Sequence, residues 1–272
     1  MKFFKSIRRP LRGYSNRARN WILERQCKHI VDQLSDILPK KPDEVPVIVV
    51  SYNNGVYVRN IVSQLNQFEI TPIIIDNNSS SGKTTEILNQ LENSDMAYIV
   101  RSRKNHGHMV GFLKPVYDLF PETFCYTDPD LQLNEKLPKD FITTLAQLTL
   151  EFRVFKAGFA LSIHGHGPLK DIKFHSCHRQ PIYYEKHLSI EEFEARYWIN
   201  RLKHDELELY AAPIDTTFAL YRKSNYRGDF HNAIRVAGDY SAIHLPWFKD
   251  LDFMSEEDRT VYENRNVSSN WI

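Results

Sequence analysis

Cysteine is scarce in this chain of 272 residues, and long apolar runs are absent from it. The three cysteines, Cys27, Cys125 and Cys177, lie far apart and form no CxxC pair. The sequence therefore predicts neither a disulfide framework nor a thiolate zinc site, and it suits a reducing cytoplasm. No segment approaches the roughly 20 apolar residues of a membrane span. The basic N-terminus also lacks the apolar stretch of a secretory signal.

Two glycine-rich phosphate-binding motifs are missing as well. Neither GxGxxG nor GxxxxGK[ST] occurs, so a bound phosphate group must be held in another way. The residues that are present, 42% hydrophobic and 25% charged, have the balance of an ordinary globular protein. This composition excludes disordered, collagen-like and coiled-coil classes. The length is sufficient for one large domain with a sizeable core.

Positive charge is concentrated at the N-terminus. The whole chain has 35 basic and 34 acidic residues, a formal net charge of +1, so we expect no nucleic-acid partner. Residues 1–28 nevertheless hold nine basic residues and one acid, which leaves residues 29–272 with a net charge of −7. The first 40 residues are therefore predicted to form a basic amphipathic extension.

Apolar side chains such as Phe3, Trp21 and Ile22 lie among the charges of residues 1–28. Because Lys and Arg attract lipid phosphates while aromatic rings sit at the interface, this mixture predicts contact with an anionic membrane surface. The protein would then be cytoplasmic and peripheral on the inner face of a membrane. A solvated basic helix and a nucleic-acid-binding helix are the alternatives.

After a proline-bearing linker at residues 38–44, strands and helices alternate along the chain. The apolar patterns predict strands over residues 45–50, 71–75, 96–100 and 123–127, and helices over residues 56–65, 84–91 and 110–119. Four such units within about 85 residues predict an α/β fold with a doubly wound, mostly parallel sheet. Beyond residue 150 the pattern is mixed α+β, with a strand over 155–163, a helix over 190–202 and strands over 207–211 and 216–222.

Polar residues follow all four predicted strands. These residues include Ser51, Tyr52 and Asn53 after the first strand, Asp76 and Asn78 at the second, Asn105 beyond the third, and Asp128 and Asp130 after the fourth. Turns and helix caps account for one or two such clusters. Ligands of open α/β sheets bind beyond the carboxyl ends of the strands, so four clusters predict a ligand site there.

The Asp128-Pro129-Asp130 segment offers the chemistry that a diphosphate needs. Alternate residues of an extended segment project to one side, and Pro129 restricts the backbone between the two acids. Two carboxylates on one side suit Mn²⁺ or Mg²⁺, which would carry a substrate diphosphate.

These motifs together resemble those of GT-A nucleotide-sugar glycosyltransferases, in particular glycosyltransferase family 2. The matching segments are residues 47–54, 73–79, 105–107 and 128–130. The resemblance implies a GT-A fold in which residues 45–150 form the nucleotide-sugar-binding half and residues 151–272 the acceptor-binding half. It also implies a bound Mn²⁺ or Mg²⁺ ion.

The resemblance implies roles by position for the donor site. Tyr52 would stack on the nucleotide base, and Asp76 would accept a hydrogen bond from a base N–H. Asp128 would contact the ribose or the donor sugar, and Asp130 would bind the metal. The remaining residues of the implied nucleotide-sugar site are Ser51, Asn53, Asn78 and Asn105.

Two further positions complete the implied machinery. A C-terminal histidine often joins the metal in this fold, which points to His244, with His164 and His166 as the rival pair. Asp215, between apolar neighbours, is the candidate for the base that deprotonates the acceptor, and burial there would raise its pKa. No Glu-Asp pair follows the DxD motif at the distance usual in family 2. The base and the choice between inversion and retention therefore stay open.

Several basic and aromatic residues near His244 are secondary candidates. The arginines could clamp a diphosphate, and the aromatic residues could form a platform for an acceptor sugar: Arg222, Arg227, Arg235, Tyr240, Trp247 and Phe248.

The sequence thus predicts a metal-dependent glycosyltransferase. It would transfer a sugar, with inversion, from a nucleoside diphosphate sugar such as a UDP-sugar to a hydroxyl of a glycan or lipid-linked acceptor, in surface polysaccharide assembly. The alternatives are a sugar nucleotidyltransferase, which lacks support from a glycine-rich N-terminal loop, and a non-catalytic, membrane-associated glycan-binding or scaffold protein.

Overall fold

A nine-stranded sheet forms the centre of the protein in a computed structural model that describes residues 8–40, 44–178 and 184–263. The strands in chain order are β1 Val47–Ser51, β2 Ile73–Asp76, β3 Tyr98–Arg101, β4 Thr123–Thr127, β5 Leu131–Leu133, β6 Lys156–Phe159, β7 Phe174–His178, β8 Tyr184–Leu188, β9 Arg201–Leu202, β10 Leu209–Ala211, β11 Ala219–Arg222, β12 Ala233–Val236 and β13 Ala242–His244. The helices are α1 Arg8–Ile37, α2 Gly55–Asn66, α3 Gly82–Asn93, α4 Lys114–Tyr117, α5 Phe141–Glu151, α6 Ile190–Ala195 and α7 Glu256–Glu263.

The strand order of the central sheet is β3-β2-β1-β4-β11-β6-β12-β10-β9. Its first four strands are parallel, and only β10 and β11 run against the other seven. All five residues of β1 are buried, as expected for a parallel strand that is covered on both faces. The predicted α/β fold with a mostly parallel sheet and a mixed C-terminal half is confirmed.

Helices cover both faces of the sheet. The helices α2, α3 and α5 pack on one face, while α1 and α4 pack on the other. In α1, Cys27, Ile30 and Leu34 are fully buried in the second of these cores. The C-terminal part of the N-terminal extension is therefore packed against the sheet.

The predicted membrane-facing segment, residues 1–28, falls largely outside the described residues. Residues 1–7 are not described, and neither are the side chains of residues 8–20 of α1. Across the part of the chain that is described, no helix is both long and apolar enough to span a membrane.

Two predicted helices are shorter than expected. The helix predicted over residues 110–119 is interrupted at Leu113, which is extended, and α4 begins afresh at Lys114. Pro115 explains the break, because proline fits only in the first turn of a helix. The helix predicted over 190–202 ends in a short 3-10 turn at Trp198. Residues 201–202 instead pair with β10 as strand β9, so tertiary hydrogen bonding overrides the local pattern.

The C-terminal segment folds back over α2 and α3. The carboxylate of Asp252 accepts hydrogen bonds from Tyr57 of α2, from Lys170 and from Arg259 of α7. Lys83 of α3 makes a further ion pair with Asp258, at 2.5 Å. These contacts hold α7 beside the carboxyl ends of the parallel strands, where the described residues form their main cleft.

Candidate active site

A cleft of about 620 Å³ opens beyond the carboxyl ends of β1 and β4. Six of the predicted site residues line it: Tyr52, Asn105, Asp128, Asp130, Asp215 and His244. Its opposite wall comes from the C-terminal half and includes Phe174, Phe193, Glu194, Tyr197, Arg235 and Trp247. The cleft therefore lies between the two halves that the sequence analysis distinguished.

Asn53 joins the loops that follow β1 and β2. Its backbone has a left-handed conformation (φ 52°), which asparagine tolerates better than most residues. Its side-chain oxygen accepts hydrogen bonds from the backbone N–H groups of Ser80 and Ser81, at 2.7 and 2.9 Å. Its own N–H donates to the hydroxyl of Ser79, at 2.8 Å. Asn53 thus holds two loops together and does not line the cleft.

Three more predicted donor-site residues lie beside the cleft and do not line it. Ser51 is fully buried and donates to the side-chain oxygen of Asn54, at 3.0 Å. The carboxylate of Asp76 accepts hydrogen bonds from Ser79, and burial raises its pKa. Asn78 is exposed, in a left-handed conformation of φ 64°. The first two residues are placed to orient the loops around Tyr52.

Asn77, which the sequence analysis did not select, does line the cleft. Its side-chain N–H donates to the carbonyl of Gly107, at 2.9 Å, and its oxygen accepts from the backbone of His106, at 3.3 Å. These bonds attach the loop after β3 to the end of β2. The run of polar residues at 76–80 was the sequence signal for this part of the cleft. The sequence alone does not show that Asn77 faces the cleft while Asn78 is exposed.

Three carboxylates converge on the floor of the cleft. The backbone N–H of Asp128 donates to the carbonyl of Thr216, at 2.9 Å, and the Thr216 hydroxyl donates to the Asp128 carboxylate. This double contact brings Asp215 beside Asp128. Burial raises the pKa of Asp128 well above its usual value, and the charges of Asp130 and Asp215 raise it further. A region this rich in negative charge favours a cation.

Asp215 lies in the cleft wall as expected, four residues before β11 begins. The expectation that it is buried was wrong, because its side chain is exposed. Exposed and buried residues alternate along residues 211–216, and Asp215 is one of the exposed positions.

His244 lies next to Asp130 because two short strands pair. In the β5·β13 ribbon, His244 stands opposite Leu131, and its Nε2 is 3.3 Å from Oδ2 of Asp130. The other oxygen of Asp130, Oδ1, is buried and accepts no hydrogen bond. A buried carboxylate oxygen without a donor beside an imidazole fits a divalent cation, and any remaining ligands would have to come from water or a bound ligand.

The protein alone provides few ligands for such an ion. Within residues 8–40, 44–178 and 184–263, no group of three or more His, Cys, Asp or Glu side chains is arranged to hold a metal. His164 and His166 do not line the cleft, and Nε2 of His166 lies 2.9 Å from the hydroxyl of Ser162. The structure therefore brings His244, and neither rival, to the DxD motif.

A buried ion pair forms part of the far wall. Arg235 of β12 is 4% exposed and pairs with Glu194 of α6, which is 0% exposed. The Nε of Arg235 also donates to the carbonyl of Pro213, at 2.8 Å, and its guanidinium lies 4.0 Å from the ring centroid of Tyr197. Burial raises the pKa of Glu194, although the charge of Arg235 opposes the shift. The sequence analysis did not find this pair; the capping box of Ser189 marks where α6 starts but does not indicate that Glu194 meets Arg235.

The other secondary candidates fall in different places. Arg222 donates to Thr149 and Ala146 of α5, and Arg227 is exposed, so Arg235 is the one member of the arginine set in the cleft. Tyr240 and Phe248 belong to the core, while Trp247 reaches the cleft.

The fold and the site are consistent with one known class of fold. A mostly parallel, doubly wound sheet with an acidic pair after its fourth strand and an open cleft beside it agrees with the GT-A fold. The sequence model described as Glycosyl transferase family 2 matches residues 47–152. The match confirms the resemblance over that segment and supports a glycosyltransferase.

Solved structures of two other proteins are similar to part of this chain. A mannosyltransferase, PcManGT from Pyrobaculum calidifontis in complex with GDP-Man and Mn²⁺, is 15% identical over 44% of this chain and 37% of its own, with a TM-score of 0.35. Residues 1–349 of TarS from S. aureus are 15% identical over 66% of this chain and 47% of that one, with a TM-score of 0.36. The aligned part thus spans less than half of either structure. No curated protein matches the sequence.

Proposed function

We propose that the protein is a metal-dependent glycosyltransferase that moves a sugar from a nucleoside diphosphate sugar, specifically a UDP-sugar, to a hydroxyl of a glycan or lipid-linked acceptor. The observation that carries the proposal is the convergence of Asp128, Asp130 and Asp215 in one cleft beside His244. Transfer of a sugar from a nucleoside diphosphate can use this combination: a cation would neutralise the leaving diphosphate, and a separate carboxylate would accept the proton of the acceptor hydroxyl.

In this proposal the donor lies in the cleft beyond the carboxyl ends of the parallel strands. Tyr52 stacks on the base, with Asn105 beside it, and Ser51, Asn53 and Asp76 keep their loops in place. Asp128 contacts the ribose or the sugar. Asp130 and His244 would hold Mn²⁺ or Mg²⁺, which would neutralise charge on the leaving diphosphate.

Asp215 is the proposed general base. It accepts the proton of the acceptor hydroxyl as that oxygen attacks the anomeric carbon, and a single displacement inverts the configuration there. The aromatic wall formed by Phe174, Phe193, Tyr197 and Trp247 suits the apolar faces of an acceptor sugar.

A thermal-shift panel tests the donor site. UDP, GDP, CDP and dTDP are each added with and without Mn²⁺ to the wild type, to Asp130→Asn, and to Asp171→Asn as the control at an exposed carboxylate. At 100 times its dissociation constant, a ligand stabilises by about 2.7 kcal/mol, or roughly 5–10 °C for a chain of this size. We expect a metal-dependent shift with UDP that Asp130→Asn loses and Asp171→Asn keeps.

Product analysis separates the proposal from its alternatives. Transfer releases UDP, whereas a nucleotidyltransferase releases pyrophosphate, and a scaffold releases neither. Asp215→Asn should lower turnover by roughly 10²–10⁴-fold, as expected for the loss of a general base. An unchanged rate in this variant would remove Asp215 from the mechanism.

The membrane part of the proposal rests on residues 1–28. Trp21 and Ile22 are exposed on α1, and the guanidinium of Arg25 lies 4.8 Å from the Trp21 ring centroid. We propose attachment to the inner membrane face, where surface polysaccharides are assembled. Sedimentation with anionic vesicles tests it, and equal binding to neutral vesicles would contradict it.

A further inference from the structure

A fully buried lysine lies behind the segment that carries Asp215. Lys156 of β6 is 0% exposed, although lysine is among the residues that proteins bury least. Its Nζ donates to the backbone carbonyl of Asp215, at 3.4 Å, and lies 3.7 Å from the ring centroid of Phe230 and 5.1 Å from that of Tyr221. Burying a charge costs free energy, and an apolar residue of similar size would usually be at least as stable there. Stability therefore does not explain this lysine.

Lys156 is one of several groups that hold the same short segment, residues 213–217. The hydroxyl of Tyr221 donates to the carbonyl that Lys156 also contacts, at 3.3 Å. On the side of the cleft, Thr216 is bonded twice to Asp128, and Arg235 donates to the carbonyl of Pro213 at 2.8 Å. The backbone that carries the exposed Asp215 carboxylate is thus held by hydrogen bonds on both of its sides.

The charged groups around Lys156 shift its pKa in opposite directions. Burial is the largest influence and lowers the pKa of Lys156 to about 7. The carboxylates of Asp215 and Asp229 favour the charged amine, whereas Arg235 on the neighbouring strand disfavours it. Tyr221, whose ring lies 5.1 Å from Nζ of Lys156, also titrates, but burial raises its pKa and it stays neutral. The amine is therefore mostly charged below neutral pH and mostly neutral above it.

We propose that Lys156 is a positioning residue for Asp215: its buried ammonium fixes the peptide that carries the carboxylate, and loss of the proton releases that peptide. The inference rests on the proposed function, because Asp215 acts there as the base. The charged amine donates a stronger hydrogen bond to the carbonyl and is attracted to the ring faces. The neutral amine keeps only a weak hydrogen bond.

Lys156→Met is the test variant, because it replaces the amine with an apolar chain of similar size. Lys223→Met is the matched control. Lys223 also donates to a backbone carbonyl, that of Phe120, and its Nζ lies 4.7 Å from the ring centroid of Tyr117. Burial lowers the pKa of Lys223 too, but this residue does not line the cleft.

Four measurements on both variants test the proposal. We expect Lys156→Met to unfold at the same temperature as the wild type or higher, and to bind metal and UDP unchanged. Its kcat below pH 7 should fall by about tenfold or more, since small misplacements of a catalytic group cost that much. We expect the wild type to lose activity as pH rises through about 7, the pKa of Lys156, and we expect Lys156→Met to show no such loss. Amide hydrogen exchange of residues 214–217 should become faster, and Lys223→Met should change none of these.

The outcomes separate this inference from the proposed function. Unchanged amide exchange of residues 214–217 in Lys156→Met overturns it, whether or not turnover is observed. So does a wild-type kcat with a wild-type pH profile. If Asp215→Asn keeps full turnover while Lys156→Met still loosens the segment, the base assignment fails and the positioning of the peptide stands.

Discussion

Breaking the buried ion pair at the far wall of the cleft should be strongly destabilising. Arg235→Met removes the cation and leaves Glu194, at 0% exposure, without it. A buried carboxylate that loses its charged partner must either stay ionised in a poor environment or take up a proton. Both routes cost free energy of folding.

The structure sets the size of this cost. Both partners are at least 95% buried. The free energy of unfolding should therefore fall by about 3–5 kcal/mol, as is typical when one member of a buried ion pair is removed. For a chain of this length that corresponds to a fall in melting temperature of about 6–20 °C. The double variant Arg235→Met, Glu194→Leu should recover most of the loss, since it leaves no unpaired charge.

Urea unfolding followed by circular dichroism measures the change. Lys28→Met is the control, because Lys28 and Asp32 form an ion pair whose side chains are 72% and 55% exposed. Removing such a pair should cost less than about 1 kcal/mol.

The loss in Arg235→Met should also depend on pH. Burial already raises the pKa of Glu194, and Arg235 opposes that shift, so the variant raises the pKa further. A carboxyl with a raised folded-state pKa binds more protons folded than unfolded, so its contribution to stability declines as pH rises. The deficit should therefore be smallest near pH 4 and grow towards neutral pH. A deficit below about 1 kcal/mol, or one that grows as pH falls, would refute the reasoning.

Three further predictions concern stability. The pKa of Lys156 is about 7 in the folded protein and 10.5 in the unfolded chain. Between these pH values the unfolded chain binds more protons than the folded protein. The stability of the wild type should therefore rise with pH, by at most about 1.4 kcal/mol per pH unit. Lys156→Met should lose that slope in unfolding experiments, and an identical slope would contradict the assignment. Gly158→Ala should cost about 1–3 kcal/mol or more, because the new Cβ would fall 2.7 Å from the backbone of β11. Gly82→Ala, which meets nothing within 4 Å, should be neutral or slightly stabilising. Ser189→Ala removes the capping box of α6 and should lower the melting temperature through a loss of about 1 kcal/mol; no change would show that α6 does not depend on its cap.

Local patterns in the sequence were sufficient to predict the parallel strands of the first half of the chain. The run from Val47 to Val50 is apolar at every position, because the strand is buried on both faces, and no distant contact is needed to recognise it. The Asp128-Pro129-Asp130 motif is equally local. Its place after the fourth strand follows from counting strands, and the carboxyl ends of parallel strands meet at one edge of a sheet.

Only the tertiary structure decided which residues meet across the cleft. Asp215 reaches Asp128 through Thr216, 88 residues away, and His244 reaches Asp130 through the pairing of two short strands. Nothing in its sequence neighbourhood marks Lys156 as unusual. Its character arises from burial and from charges on other elements, and both depend on long-range packing. A sequence determines side-chain chemistry and local backbone preference, whereas burial and the charges that face a group exist only once the chain has folded.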